Sequence, residues 1–220
     1  RSTYGSDVAS CSSVVADAWY VVSGDTQADA TSQLVVYNPL PTDAVVDLSF
    51  ASEAEVGLYV PQELVGLVVP AANTISIDLG AHVRRRDVLS VTVGARLGRV
   101  VVDHLQSFDG SSGRVGFSAT LASATTSTSW YHPVARLGEK ESVSVVMSNT
   151  TDVVADVEVI VVSGEGKVGS AVTSVGPYDV IQMRVLPKAE EALIANTLFT
   201  SAESFGIIVE SSSGIPIVSG

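Results

Sequence analysis

The sequence has little cysteine, little charge and few aromatic residues. Its 220 residues include one cysteine, Cys11, so no disulfide framework can hold this chain together. Cys11 is either a free buried thiol or the partner of a cysteine outside this sequence. Only 16% of the residues are charged and 46% are hydrophobic, which excludes an intrinsically disordered chain. No uninterrupted apolar run approaches the ~18 residues of a membrane-spanning helix.

Positive charge is scarce as well. Twelve Lys and Arg residues face 24 Asp and Glu residues, for a formal net charge of -12. Because nucleic-acid phosphates repel such a surface, we expect no nucleic-acid partner. Only three of the twelve basic residues are lysines, and an acidic, lysine-poor surface is typical of an extracytoplasmic protein from a GC-rich genome.

What the sequence does contain is a hydrophobic pattern of period two. In residues 74–79, Ile75, Ile77 and Leu79 alternate with polar residues, and similar alternation occurs at 45–50, 89–93, 142–147, 156–161 and 181–185. Each segment has one face for a core and one for water, which is typical of antiparallel sheets. The best helix candidate is Pro187–Ala195, with one or two turns.

An internal repeat organises these strands. Trp19-Tyr20 recurs as Trp130-Tyr131, and Asn38 recurs as Asn149, both 111 positions later. Two further blocks recur in the same order, at offsets of 106 and 116: Ile75, Ile77 and Leu79 match Ile181, Met183 and Val185, and Val91, Val93, Gly98 and Val101 match Ile207, Val209, Gly214 and Ile217. Four blocks in one order indicate two copies of a β-domain, residues 1–110 and 111–220.

The strand lengths and turn signals predict the architecture of each copy. Short alternating strands separated by turn residues are typical of an immunoglobulin-like antiparallel β-sandwich. We therefore predict an all-β fold with two such sandwiches in tandem. The last two strands of each copy are predicted to form a hairpin, with Gly214 in the turn of the second copy.

Several of these segments together resemble a known family. They are Trp-Tyr, then Leu-Val-Val-Tyr-Asn-Pro at residues 34–39, Val-Pro before a strand that ends Asp78-Leu79, the Asp109-Gly110 step, and the closing Gly-Ile-Pro-Ile-Val-Ser-Gly. From Cys11 to Gly220 the chain resembles an actinobacterial family of exported proteins, the domain of unknown function 5719. The resemblance implies an envelope location and an N-terminal membrane anchor outside this chain. It supplies no catalytic residues. Since the sequence starts at Arg1 without a signal peptide, we expect a fragment whose export signal has been removed.

The basic run Arg84-Arg85-Arg86 is the strongest candidate for a binding site. It is the one cluster of positive charge in an acidic sequence, and it lies between two predicted strands. One interpretation is contact with an anion, such as a lipid headgroup, an acidic glycan or the carboxylates of a partner. The other is a solvated loop with ion pairs to Asp78 and Asp87. The corresponding connector of the second copy reads Lys188-Ala189-Glu190-Glu191, as expected of a site present on one copy only.

The paired aromatic sites allow two interpretations. Exposed rings at Trp19, Tyr20, Trp130 and Tyr131 would form a platform for a sugar or peptide. Recurrence in both copies favours the alternative, in which they are structural anchors of the repeat. A carbohydrate-binding surface would need exposed aromatic side chains on one sheet face, for which Tyr37, Tyr59, Trp130 and Tyr178 are the candidates.

Catalytic and metal-binding patterns are weak. Asp103-His104 is the sharpest acid–histidine pair, but neighbours on a strand point to opposite faces, so neither can orient the other. No metal-ligand spacing occurs, although calcium is able to bridge acids such as Asp25 and Asp29. The paired glutamates at 53/55, 139/141 and 190/191 are interpreted as solvated surface. We predict no catalytic site, no metal and no cofactor.

Three functions are compatible with these features. The first is a non-enzymatic, extracytoplasmic scaffold or interaction module of the bacterial cell envelope, which binds an envelope protein or glycan. The second is a module that binds cell-wall carbohydrate. The third is a hydrolase with a cleft between the repeats.

Overall fold

The computed structural model describes residues 7–134, 143–164, 166–187, 197–200 and 204–220. In these residues the chain is all-β, as predicted. It also contains one four-residue α-helix and one short 3-10 helix, both at positions where the sequence predicted none. None of their helices has the length and apolar character needed to cross a membrane. The chain divides into two compact units, Arg1–Thr125 and Thr126–Gly220.

Nine strands and both helices lie in the described part of the first unit, residues 7–125. The strands are β1 (Ala18–Gly24), β2 (Ala30–Asn38), β3 (Ala44–Ser52), β4 (Glu55–Tyr59), β5 (Leu67–Val69), β6 (Asn73–Asp78), β7 (Leu89–Leu97), β8 (Val101–Asp109) and β9 (Val115–Leu121). The 3-10 helix is Gln62–Leu64 and α1 is Leu79–His82. One sheet has the order β1-β7-β3-β4, with β5 also paired to β3, and the other has the order β6-β2-β8-β9. One core cluster contains inward side chains of both sheets, because hydrophobic residues alternate along their strands.

The described residues of the second unit form eight strands. They are β10 (Ser129–Val134), β11 (Val143–Ser148), β12 (Ala155–Ser163), β13 (Gly166–Val175), β14 (Val180–Pro187), β15 (Thr197–Thr200), β16 (Phe205–Ser211) and β17 (Val218–Ser219). They form sheets with the orders β10-β16-β12-β13 and β15-β14-β11-β17. Among the described strands of this unit, β14 and β15 pair parallel and the other pairings are antiparallel.

Residues that repeat in the sequence occupy matching places in the two units. Trp19 pairs with Val93 across β1 and β7, and Trp130 pairs with Val209 across β10 and β16. The order β1-β7-β3-β4 corresponds to β10-β16-β12-β13, and β6-β2-β8 corresponds to β14-β11-β17. β9 has no counterpart among the described strands of the second unit, and β15 has none in the first.

The predicted hairpin at the end of each copy is wrong. β7 and β8 lie in different sheets, as do β16 and β17, so the chain crosses from one sheet to the other. Gly98 and Gly214 take up positive φ angles of 75° and 74° at these crossings, a backbone conformation that favours glycine.

The hydrogen bonds of the two tryptophan indoles show that one residue match of the predicted repeat, Val101 with Ile217, is wrong. Trp19 Nε1 donates to the carbonyl of Val100 at 2.8 Å, and Trp130 Nε1 donates to the carbonyl of Ile217 at 3.0 Å. The structural counterpart of Ile217 is therefore Val100 and not Val101. The shift arises because the second crossing contains one residue more than the first.

The ends of the units differ from the sequence-based boundaries. β9 lies beyond residue 110 but pairs with β8 over seven consecutive residues, so it belongs to the first unit.

Two further predictions concern Cys11 and the segment Pro187–Ala195. Cys11 is free and exposed, not buried. Pro187 ends β14, and the rest of the predicted helix, together with Lys188, Glu190 and Glu191, lies outside the described residues.

Candidate anion-binding site

A pocket of about 290 Å3 opens beside β4 in the first unit. Cationic and aromatic side chains share its wall with a few small or polar groups. The lining residues are Phe50, Ser52, Glu55, Gly57, Tyr59, His82, Val83, Arg84 and Arg86. We call it the arginine pocket. Two of the three arginines of the basic run line it, and Arg85 does not.

The connection between β6 and β7 carries the cationic side chains. It begins with α1, where the Asp78 carboxylate accepts a hydrogen bond from the Gly80 amide at 3.0 Å and caps the helix. Leu79 is fully buried and ties the helix to the core, which carries His82 to the rim of the pocket. The short helix therefore sets the direction in which the arginine run leaves the core.

Buried Thr26 holds the arginine run by its backbone. The Arg85 amide donates to the Thr26 carbonyl at 3.0 Å, and the Thr26 amide donates to the Arg86 carbonyl at 2.9 Å. The Arg86 amide also donates to Thr26 Oγ1 at 3.1 Å. Arg85 takes a φ of 57°, in the left-handed region, where the chain turns. The backbone of the run is thus fixed independently of its side chains.

The three arginine side chains have different surroundings. Arg86 is half-buried and forms an ion pair with Glu55 at 3.2 Å, while its Nη1 donates to the carbonyls of Arg84 and Arg85. Its Nε is buried and has no hydrogen-bond partner among the described residues. Arg84 and Arg85 are exposed, and within the described part of the chain their side chains form no ion pair. Arg84 therefore presents an uncompensated cation at the pocket.

His82 and Tyr59 complete the pocket. His82 Nδ1 lies 3.1 Å from a carboxylate oxygen of Glu63 in the 3-10 helix. Hydrogen bonds from its own backbone and then from His82 lower the pKa of Glu63. Tyr59 is 45% exposed, and its ring lies 6.4 Å from that of buried Phe50. The pocket thus combines a fixed aromatic ring with cationic groups that an anion can approach.

The strand beside β3 is built differently from its counterpart in the second unit. Val69 lies 25 positions after its cross-strand partner Ala44, whereas Val175 lies 20 positions after its partner Ala155. The longer segment of the first unit contains β4, the 3-10 helix and β5, and β13 takes their place beside β12 as a single strand. Residues 188–191, the predicted counterpart of the arginine run, lie outside the described residues.

The repeated aromatic pairs lie elsewhere in the fold. Trp19 is buried in the core of the first unit, and Trp130 is half-buried against the core of the second. Tyr20 is half-buried, and Tyr131 is exposed. Of the candidates for a carbohydrate surface, Tyr37 and Tyr59 are exposed on different sheets, while Trp130 and Tyr178 are half-buried. Tyr37 and Tyr59 therefore do not share one sheet face.

Asp103 and His104 point to opposite sides of β8, as the alternation predicts. His104 is buried between the sheets, and its Nε2 lies 2.8 Å from Ser32 Oγ. Desolvation lowers the pKa of His104 to about 4. This serine and histidine are both enclosed in the core, where no substrate can reach them. Asp103 lies on the outer face, its Oδ1 buried without a partner among the described residues, and desolvation raises its pKa.

A guanidinium takes the place that the sequence suggested for calcium. Arg114 Nη1 lies 2.6 Å from Asp25 Oδ2, and its Nη2 lies 2.8 Å from Asp29 Oδ1. The hydrogen bonds from Arg114, and next that from Ser112, lower the pKa of Asp29. The same guanidinium stacks over the ring of Phe108 at 4.3 Å. A local sequence pattern could not predict these ion pairs, because Arg114 is 85 positions from Asp29.

Of the three glutamate pairs noted in the sequence, one contacts the arginine run and the other two lie outside the described residues. Glu53 accepts hydrogen bonds from the amides of Asp87 at 2.9 Å and Val88 at 3.2 Å, and Glu55 pairs with Arg86. Both thus hold the arginine run against β3 and β4. Glutamates 139, 141, 190 and 191 lie outside the described residues. Among the residues that are described, no three His, Cys, Asp or Glu side chains are grouped to hold a metal ion.

Comparison with known protein families identifies the family of this chain. The sequence model described as "Family of unknown function (DUF5719)" matches residues 2–176, which include residues 2–125 of the first unit and all of the arginine pocket. The chain belongs to this family. The match confirms the resemblance to the domain of unknown function 5719 as far as residue 176, in the second unit. A search of curated proteins found no match to the chain.

Proposed function

We propose that this DUF5719 protein is a non-enzymatic interaction module of the bacterial cell envelope. It acts outside the cytoplasm, and the arginine pocket captures an anionic group of an envelope protein. Each of its units is an immunoglobulin-like sandwich that serves as a rigid support. The first unit carries the contact.

One observation carries the proposal. Arg84 is exposed at the pocket with no ion pair in the described residues, although the chain carries twice as many acids as bases. On such a surface, an uncompensated arginine beside a second arginine and an aromatic ring is suited to a partner's carboxylate or phosphate. The hydrogen bonds of Thr26 to Arg85 and Arg86 fix the backbone of the run, so little backbone entropy is lost when an anion binds.

The neighbouring surface favours a protein over a free ion. Val56, Leu58 and Val60 are exposed on or beside β4, where they alternate with the pocket residues Glu55, Gly57 and Tyr59. A strand that offers a charged pocket on one face and exposed apolar side chains on the other is suited to a partner that contacts both. The acidic net charge and the family resemblance agree with an extracytoplasmic location.

The test uses two neighbouring arginines. Arg84→Glu reverses the charge at the pocket, and Arg85→Glu is the matched control, since Arg85 is exposed in the same run but does not line the pocket. The purified chain and both variants are immobilised and incubated with envelope extract from the source organism at low and high salt. Binding of poly-L-glutamate and polygalacturonate is measured alongside.

We expect capture of one discrete protein that high salt releases. Arg84→Glu should weaken the capture, and the binding of poly-L-glutamate, by about tenfold or more, whereas Arg85→Glu should change each by less than about threefold. Equal effects of the two substitutions would remove the pocket as the contact. No salt-sensitive capture by the wild type would remove the proposed function.

A carbohydrate-binding function is the second candidate. The exposed ring of Tyr59 in the pocket favours it, because an aromatic face beside arginines can hold an acidic sugar. Preferential binding of polygalacturonate, with loss on Tyr59→Ala, would replace the protein partner by a glycan. Tyr37→Ala is the control, as Tyr37 is equally exposed but lies on the other sheet.

A further inference from the structure

β9 forms an open edge of the first unit. It is the last strand of the sheet β6-β2-β8-β9, and it pairs with β8 over seven consecutive residues without a bulge. Its sequence, Val-Gly-Phe-Ser-Ala-Thr-Leu, contains no charged residue and no proline. Natural edge strands usually carry a charge, a proline or a bulge that prevents pairing with another chain. β9 has none of these within its seven residues.

Two hydrogen bonds show which backbone amides of β9 face outward. The amide of Ala122, just after the strand, donates inward to the Val102 carbonyl at 3.0 Å. The amide of Ala119 donates outward to a carboxylate oxygen of Asp7 at 2.8 Å. Because amides alternate sides along a strand, those of Val115, Phe117 and Leu121 also face outward. These three have no hydrogen-bond partner among the described residues.

The side chains beside this edge are apolar and accessible. Val115 is 66% exposed and Phe117 is 41% exposed. With Ala119 and Leu121 they lie on one face of the strand, since side chains alternate with period two. A strand added to the edge would therefore place its own side chains next to four apolar residues.

We propose that β9 pairs antiparallel with β9 of a second copy of this chain. A register centred on Ser118 places Val115 opposite Leu121 and Phe117 opposite Ala119, so every residue with an outward amide meets another such residue. Each of these pairs exchanges two hydrogen bonds. The two four-stranded sheets then form one continuous sheet across a two-fold axis.

The absence of charge on β9 permits a second copy as the occupant. At a net charge of -12 two copies repel each other over most of their surface, but the seven residues of β9 carry no charge. The centred register brings apolar side chains opposite apolar side chains in both pairs, and such cross-strand pairs stabilise a sheet. A strand with charged residues at these positions would bury them against Phe117 and Leu121 without a partner.

Asp7 competes with this pairing. Its carboxylate occupies the Ala119 amide that the second copy needs, so it must leave when the dimer forms. Asp7→Ala removes the competitor and should strengthen the dimer. Phe117→Lys places a charge on the edge and should weaken it. Leu97→Lys is the matched control, because Leu97 is 61% exposed and lies at the end of β7 in the other sheet.

Sedimentation equilibrium of the purified chain over a wide concentration range tests the proposal. We expect a monomer–dimer equilibrium whose dissociation constant rises about tenfold with Phe117→Lys, falls with Asp7→Ala and is unchanged by Leu97→Lys. Circular dichroism of each variant checks that it is folded, and Val115→Lys provides a second edge variant. A wild type that stays monomeric, or a dimer that responds equally to Leu97→Lys, would overturn the proposal.

Cross-linking tests the register. In a Cys11→Ser background, Ser118→Cys places two thiols opposite each other at the two-fold axis, and mild oxidation should give a covalent dimer. Val115→Cys places its thiol opposite Leu121 and should not cross-link to itself. Cross-linking through Val115→Cys but not Ser118→Cys would contradict the centred register.

Discussion

Asn38 and Asn149 make the same hydrogen bonds in the two units. Each buried amide nitrogen donates to three backbone carbonyls, namely those of Thr42, Val69 and Pro70 for Asn38, and those of Val153, Val175 and Gly176 for Asn149. Each amide oxygen accepts from the backbone amide two residues later, at 3.0 Å in both units. Thr150 stands where the first unit has Pro39, so the asparagine, not the proline, determines this loop.

Replacement of either asparagine by aspartate should destabilise its unit strongly. The carboxylate cannot donate to the three carbonyls, which would then face a buried negative charge. For Asn38→Asp we expect a loss of about 2–4 kcal/mol in the free energy of unfolding, measured by urea denaturation. Asn73→Asp is the control, since Asn73 is exposed and its side-chain oxygen only accepts from Thr74. Equal stability of both variants would show that the shared hydrogen bonds are dispensable.

Removal of Arg114 should destabilise the first unit. Arg114→Met leaves the side chains of Asp25 and Asp29 close together without their cation. We expect the thermal midpoint to fall by several degrees, and calcium to restore part of the loss because two carboxylates are then free to bind it. Arg96→Met is the control, as the Arg96–Asp47 ion pair is more exposed.

The pH dependence of stability in Arg114→Met is a second test of the ion pairs that Arg114 forms. Because the pKa of Asp29 is lowered in the fold, its contribution to stability is present above its ordinary pKa and is lost as the pH falls through the lowered value. Arg114→Met should therefore lose less stability than the wild type on acidification below about pH 4. Parallel profiles for both proteins would contradict this role of Arg114.

His104 should make the first unit sensitive to mild acid. Its pKa is lowered to about 4, so the neutral ring is favoured in the fold and stability is lost as the pH falls from about 6.5 towards 4. The loss over this window is on the order of 3 kcal/mol. His104→Gln, which can still bond to Ser32, should flatten the profile between these pH values. His82→Gln is the control at the end of α1, outside the core, and an equal flattening there would remove His104 as the cause.

Asp103→Asn should stabilise the protein at neutral pH. Desolvation raises the pKa of Asp103, so its charged form is disfavoured in the fold and stability falls as the pH rises through the raised value. We expect a gain of roughly 0.5–1 kcal/mol at pH 7, with allowance for partial solvation of the carboxylate, and no gain at pH 3. Asp109 on the same strand is the opposite case, because hydrogen bonds from Ser111 lower its pKa. Asp109→Asn should therefore not stabilise the protein.

The sequence by itself determined the all-β class, the matching positions of the two units and the location of the arginine run. These features are local, or they recur in order along the chain. Alternation with period two reports one buried face per strand, and recurrence of Trp19 and Asn38 as Trp130 and Asn149 reports the same hydrogen bonds in each unit. Arg84 and Arg86 are two positions apart in the sequence, so their proximity to each other is local.

Only the tertiary structure decided which strands share a sheet and what surrounds each charge. A turn at Gly98 is compatible with a hairpin and with a crossing between sheets. Which of the two forms depends on the strands with which β7 and β8 pair, and these are β1 and β3 for β7, and β2 and β9 for β8. The pairing of Arg114 with Asp25 and Asp29, and the place of Tyr59 beside Arg84, likewise follow from sheet register. Such contacts join residues far apart in the chain, and the local pattern of hydrophobic and polar residues does not encode them.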